Sequence, residues 1–181
     1  MAELSDEILM HKVKQGDLSE LAGLFERYHV RLYNFFLKLT LEKSVSQDLT
    51  QNLFYRIIKY RHTFRDDSIF KPWVYQMARN VHYDYRRQNK RTSDRFENVE
   101  DYDENVLETS TVYEEEDFQR LDKALLKLSP EQQEIIVLSR YQGLKYEEIS
   151  KIQNSTVAAI KVQMHRAIKQ LREIYFKQIE P

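Results

Sequence analysis

The chain of 181 residues has no cysteine, three glycines, three prolines and one tryptophan. Without cysteine there are no disulfides, no thiolate ligands for zinc and no thiol nucleophile. Loops that cradle phosphates need glycine for tight turns and close backbone approach. Gly16, Gly23 and Gly143 stand too far apart to form a dinucleotide fingerprint or a P-loop. No apolar run approaches the roughly 20 residues of a membrane span. Met1 to Asp6 lacks the basic and apolar regions of a secretory signal, so the expected location is the cytoplasm with no membrane insertion. The histidines, His11, His29, His62, His82 and His165, show no metal-ligand spacing, and no glycine-flanked serine suggests a nucleophile elbow. The expectation is a protein that is not an enzyme, with no catalytic residue, no metal and no cofactor.

A surplus of either charge is also missing: 28 Lys and Arg oppose 29 Asp and Glu. The total hides an uneven distribution. Residues 56–95 hold 11 basic and 4 acidic side chains, and residues 139–177 hold 8 and 3. Between them, residues 96–117 hold 10 acidic side chains and no basic one. Like charges this dense repel and keep a chain extended, and the segment shows no sustained period of 3.6 or 2. It reads as an acidic flexible linker, 96–117, joining a domain over 1–95 to a second over 118–181.

What is present is helical periodicity, and scarce glycine and proline favour long helices over turn-linked strands. The expected fold is all-α: two small helical domains. Ser5 can cap a helix through Gln15. A helix over about 19–41 carries a buried stripe of Leu21, Leu24, Phe25, Tyr28, Leu32, Phe35, Phe36 and Leu39. A third helix is expected over 46–61 and a fourth over 69–91, with Pro72 in its first turn. In the second domain a helix over 115–128 precedes Ser129-Pro130-Glu131-Gln132, a capping box with proline at the first helical position. The helix it opens runs to Gln142 and stops at Gly143. A short helix, 146–151, a turn ending at Asn154 and a long helix, 156–177, complete the chain.

The last three elements have helix-turn-helix spacing. Asn154 suits the turn because asparagine tolerates the left-handed conformation. One face of the final helix is an apolar seam of Val157, Ile160, Met164, Ile168 and Leu171; the other presents Ala158, Ala159, Lys161, Val162, His165, Arg166 and Lys169. Small residues there admit a DNA backbone, and cations reach phosphates or guanine edges. The fourth helix sets an apolar face of Trp73, Val74, Met77, Ala78, Val81 and Tyr85 against a stripe of Arg79, Tyr83, Arg86 and Lys90, flanked by Asn80 and Arg87. Cations neutralise phosphates while rings stack on unpaired bases. The same patterns also fit ordinary helices with solvated basic faces, and a helix-turn-helix regulator acting independently of any polymerase.

The run from Asp48 to Ile57, then Phe64-Arg65, Phe70-Lys-Pro-Trp-Val-Tyr-Gln-Met-Ala-Arg-Asn80 and Asp84-Tyr-Arg-Arg87, resembles region 2 of an extracytoplasmic-function (ECF, group 4) sigma factor of the sigma-70 family. Leu128-Ser-Pro-Glu-Gln-Gln-Glu, Gly143-Leu-Lys-Tyr-Glu-Glu-Ile-Ser and Lys161-Val-Gln-Met-His-Arg-Ala167 are similar to region 4. The resemblance implies a dissociable subunit of bacterial RNA polymerase that selects promoters. It implies core polymerase contact, at the clamp helices of the largest subunit, through Asp48, Gln51 and Phe54. It implies reading and melting of the −10 element through Arg65, Ser68, Phe70, Arg79, Asn80, Tyr83, Arg86 and Arg87. The −35 element falls to Ala158, Ala159, Lys161, Val162, His165, Arg166 and Lys169, with region 4 against the polymerase flap. The partners implied are core RNA polymerase, promoter DNA and an anti-sigma factor. The acidic linker would thread basic channels of the polymerase. Val162 and Gln163 depart from the Ser and Arg common in the family's recognition helix, and Val162 could meet a thymine methyl instead.

Overall fold

The structure, a computed structural model, describes residues 4–93 and 112–177. Most of the segment read as an acidic linker, residues 96–117, lies outside the described residues. Among the described residues every regular element is helical: α1 (Asp6–Lys14), α2 (Leu21–Thr40), α3 (Lys43–Lys59), α4 (Phe70–Ser93), α5 (Val112–Leu126), α6 (Pro130–Ile136), α7 (Tyr146–Ile152) and α8 (Val157–Lys177). Two compact units form, Met1–Phe36 with Ser44–Tyr102, and Leu37–Lys43 with Asp103–Pro181.

In the first unit, Ser5 caps α1 by accepting a hydrogen bond from the Ile8 N–H. Leu9, Met10 and Val13 bury the inner face of α1. Gly23 sits in the first turn of α2, where a Cβ would come within 3.2 Å of the Leu9 side chain. Leu24, Leu32, Phe35 and Phe36 from α2, Leu53 and Ile57 from α3, and Val74, Tyr75, Ala78 and Val81 from α4 fill the core. Aromatic edges lock it, with Phe35 against Tyr75 at 5.7 Å and Tyr28 against Phe70 at 5.1 Å. Phe25, expected in the buried stripe, is 44% exposed instead. Positions 24 and 28 already fill the inward arc of that turn, so position 25 falls on its edge.

In the second unit the capping box forms as expected: Gln132 N–H donates to Ser129 Oγ, and Ser129 N–H to Gln132 Oε1. The α-helix continues only to Ile136 and then widens into a π-turn over Val137–Tyr141. Gly143 follows with φ 65°, the left-handed step that ends helices cheaply only for glycine or asparagine. Ile135, Ile136, Leu138, Leu144, Ile149, Ile152, Ile160 and Met164 make the core. The amide of buried Gln133 donates to the Leu39 carbonyl at 3.2 Å. No helix among the described residues is long and apolar enough to cross a membrane.

His82 is the buried exception among the histidines, 4% exposed on the inner side of α4. Burial, aided by the positive charge of Arg86, pushes its pKa down from 6.5 to about 4. The unfolded chain therefore takes up this proton at higher pH than the folded one. The stability contributed by neutral His82 is present above pH 6.5 and is lost as pH falls toward 4. Denaturant unfolding across that window should show a loss of up to about 3 kcal/mol from this group. His82→Leu should flatten the slope; an unchanged slope in the variant would contradict the assignment.

Candidate nucleic-acid interface

α4 buries one side through Val74, Ala78 and Val81, and this fixes what its other side presents. Asn80, Arg86 and Arg87 are exposed, and Arg79 and Tyr83 half-buried. The Arg79 guanidinium lies 5.1 Å from the centroid of the Tyr83 ring, a cation–π pair that holds a flat charged surface. Asp84 binds Arg56 at 2.8 Å and Arg87 at 3.0 Å. Arg87 is thus partly neutralised within the protein, and Arg86 is the freer cation of that pair.

Against this face lies an open cleft of about 510 Å³. Tyr60, Trp73 and Tyr83 supply aromatic walls, Met77 an apolar surface, and Gln76 and Asn80 amides that can both donate and accept. Such a lining can stack a planar base and read its edge. Trp73, read from sequence as part of the apolar face, does both jobs. Its ring meets Phe64 at 5.3 Å and Phe70 at 6.0 Å, and the half-buried side chain also lines the cleft.

The loop before α4 carries Arg65, 79% exposed and 3.3 Å from Asp67, and half-buried Ser68. Phe70 requires a correction. It is completely buried between Tyr28, Phe64 and Trp73, so its ring cannot touch DNA. It supports the cleft from beneath. Phe54 is similar: only 7% exposed, its ring packs 4.8 Å from Phe25. Asp48 and Gln51 are exposed on α3. The aromatic surface nearest Phe54 belongs to Phe25, which also stacks on His29 at 4.7 Å, while Tyr55 is 62% exposed. Neither Tyr55 nor Phe25 was singled out for this surface from sequence; the spacing of Tyr55, four residues after Gln51 on one helix face, could have flagged it, whereas Phe25 lies on another helix.

α8 buries Ile160, Met164 and Ala167, and leaves Ala158, Lys161, Val162, His165, Arg166 and Lys169 exposed, with Ala159 half-buried. The expected outward face is therefore assembled as one surface. Val162, 50% exposed, is an apolar spot within it. Thr156 Oγ1 caps the helix by accepting from the Ala159 N–H. The turn before it holds Asn154 at φ 49°, as its residue type anticipated. Sequence reasoning missed what fixes that turn: Gln153 Nε2 donates at 2.9 Å to Oε1 of Glu134, a carboxylate 2% exposed on α6. Among the described residues no cluster of three histidine or carboxylate side chains could hold a metal ion.

Two family models match the chain, sigma-70 region 2 over residues 24–92 and sigma-70 region 4 over residues 118–171. The ECF RNA polymerase sigma factor SigM of Bacillus subtilis is 30% identical over 155 residues, covering 84% of this chain and 93% of the relative. SigX, a sigma factor of the same bacterium, is 27% identical over 156 residues, covering 83% and 80%. Among solved structures, the sigma factor RpoE of Bartonella quintana, in complex with the anti-sigma factor NepR, has a TM-score of 0.71 at 26% identity, covering 86% of this chain and 96% of that one.

The Glu134–Gln153 bond ties the turn to the core beneath it. Glu134→Ala should lower stability by about 1–3 kcal/mol, read as a drop in the melting temperature. Glu134→Gln keeps a carbonyl acceptor and should recover most of the loss. Equal losses in both variants would show that the hydrogen bond does not hold the turn.

Proposed function

The chain belongs to the extracytoplasmic-function sigma factors of the sigma-70 family, and from that premise we propose how its two basic faces divide a promoter between them. The protein binds core RNA polymerase and directs it to specific promoters. Its chemistry is recognition: the polymerase makes the phosphodiester bonds, and no residue of this chain takes a catalytic role. The polymerase's compartment, the cytoplasm, is where it acts.

α8 enters the major groove of the −35 element. Lys161, Lys169 and His165 lie against the backbone and set the register, while Arg166 and Val162 face base edges. Region 4, over 118–181, carries this helix and meets the polymerase flap. Region 2, over 1–95, acts at the −10 element. Arg79, Arg86 and Arg87 follow the strand, and Tyr83 and Asn80 receive an unstacked base in the cleft together with Trp73. Arg65 and Ser68 read from the loop beside it. Separating a base from its stack costs a few kcal/mol, which binding in an aromatic cleft offsets. The single observation that carries this reading is that cleft, opening beside the cationic side of α4; groove docking alone needs no such feature.

Asp48, Gln51 and the Phe54–Phe25 surface meet the clamp helices of the largest polymerase subunit. An anti-sigma factor restrains the protein, as the complex of the Bartonella relative with the anti-sigma factor NepR supports.

Run-off transcription with purified core polymerase on a promoter library tests the reading; specific start sites are expected, and none on any template would refute it. On a selected promoter, Arg166→Ala should reduce transcription roughly tenfold and relax preference at one −35 position. Lys161→Ala should weaken all sites alike and lower the salt dependence. Both variants should bind core polymerase as the parent does. Loss of core binding would mean that α8 serves another surface.

A further inference from the structure

The match to sigma-70 region 2 begins at residue 24, downstream of α1. That helix nevertheless contacts both the loop before α4 and the first residue of α4. Asp6, in its first turn, accepts from Arg27 Nη1 at 2.6 Å and from the Tyr28 hydroxyl, which pins α1 to α2. Leu9 closes over Gly23 at the same seam. Glu7, the residue after Asp6, reaches α4 instead. Its Oε1 accepts from the backbone N–H of Phe70 at 3.1 Å, the first residue of α4.

That bond fills a gap in the local sequence. Four N–H groups at a helix start need acceptors, and the residue before the helix usually supplies one from its side chain. Ile69 precedes α4 and has no side-chain acceptor. The cap comes instead from Glu7, 63 residues away, and its negative charge also complements the positive end of the helix dipole. One turn later the His11 ring meets Phe64, the buried aromatic beneath Trp73, edge-on with centroids 5.3 Å apart. Lys14 then donates to Asp66 at 3.0 Å, with His11 at 3.7 Å. Asp66 is the 87% exposed neighbour of Arg65, and the Lys14 hydrogen bond draws its carboxyl pKa down. A single face of α1 thus grips the loop at one end and the start of α4 at the other.

We propose that α1 is a positioning element for promoter melting: Glu7, with Lys14 as its auxiliary, holds the 64–70 loop and the first turn of α4 in the geometry that keeps Trp73, Asn80, Arg65 and Ser68 aligned on one base. The inference rests on the sigma-factor reading. Glu7 and Lys14 touch no DNA; they act through the groups that do. Removing the grip lets the loop move relative to the cleft wall, so the base is captured less often and the wrong base is refused less firmly. Groove docking by α8 and the exposed face of α3 carry none of these contacts and should be indifferent to it.

The test uses reconstituted holoenzyme on a promoter that the parent protein transcribes; if the parent transcribes nothing, the sigma-factor reading itself fails. Melting at the −10 element is read by permanganate reactivity of unpaired thymines, core affinity by fluorescence titration, and −10 preference by single-base promoter variants. Glu7→Ala should lower open-complex occupancy roughly fivefold, the order expected for a lost helix cap, and narrow the spread among −10 variants, with core affinity unchanged. Glu7→Gln retains a carbonyl acceptor and should restore most of the melting. In an Asn80→Ala background, Glu7→Ala should add little, because both act on the same captured base. Lys14→Ala breaks only a surface ion pair and leaves folding intact; it should lower melting about twofold, and exchanging the charges through Lys14→Asp with Asp66→Lys should recover it. Three results would overturn the proposal: unchanged melting in both alanine variants, full additivity with Asn80→Ala, or a parallel loss of core affinity.

Discussion

Burial of one face on each of two long helices is the constraint that the rest of the protein depends on. Val74, Ala78 and Val81 on α4, and Ile160, Met164 and Ala167 on α8, commit those sides to the interior. A helix gives neighbours on one face only at spacings of three and four. Once those residues are buried, Asn80, Arg86 and Arg87 must face outward on α4, and Lys161, His165, Arg166 and Lys169 on α8. Cationic surfaces assembled this way need no surplus of charge in the chain as a whole. The near-zero net charge and the absence of glycine-rich loops are both consistent with a protein that recognises nucleic acid by helix faces.

The two faces differ in depth, and the difference matters chemically. α8 presents an exposed surface with one apolar residue among cations, suited to a groove whose shape already exists. α4 adjoins a cleft with ring walls and amides, suited to something that must first leave a stack. The same physics that buries Phe64 and Phe70 builds this cleft. They hold up Trp73 from below, leaving the rest of the indole available on the cleft side.

Much of this was legible in the sequence because it is local. The Ser129 capping box, the left-handed Asn154, Gly143 at the helix end and the seam of α8 each depend on residues within a few positions of one another. Helix starts and stops agreed within about three residues, the usual scatter for such ends, except that α6 stops being α-helical at Ile136 rather than Gln142. The features that escaped are those set by partners far along the chain. Phe70 and Phe54 look like surface aromatics until α1 and α2 are packed against them. Glu7 capping α4, and Glu134 holding Gln153, join segments 63 and 19 residues apart that no period links. The π-turn at Val137–Tyr141 is a further case, since nothing in that run separates it from an ordinary last turn. The seam of α8 was also incomplete as read, because Ala167, omitted from it, is fully buried there.

These faces should discriminate promoter sequence only as part of the polymerase. Equilibrium binding of a promoter fragment and of a scrambled fragment, measured at one fixed salt concentration, tests it directly. The chain alone, core polymerase alone and the reconstituted pair are compared. Weak and nearly equal binding of both fragments is expected of the chain alone, and strong preference for the promoter only of the reconstituted pair. Preference by the free chain as large as that of the pair would contradict it, and would identify a regulator that reads DNA by itself.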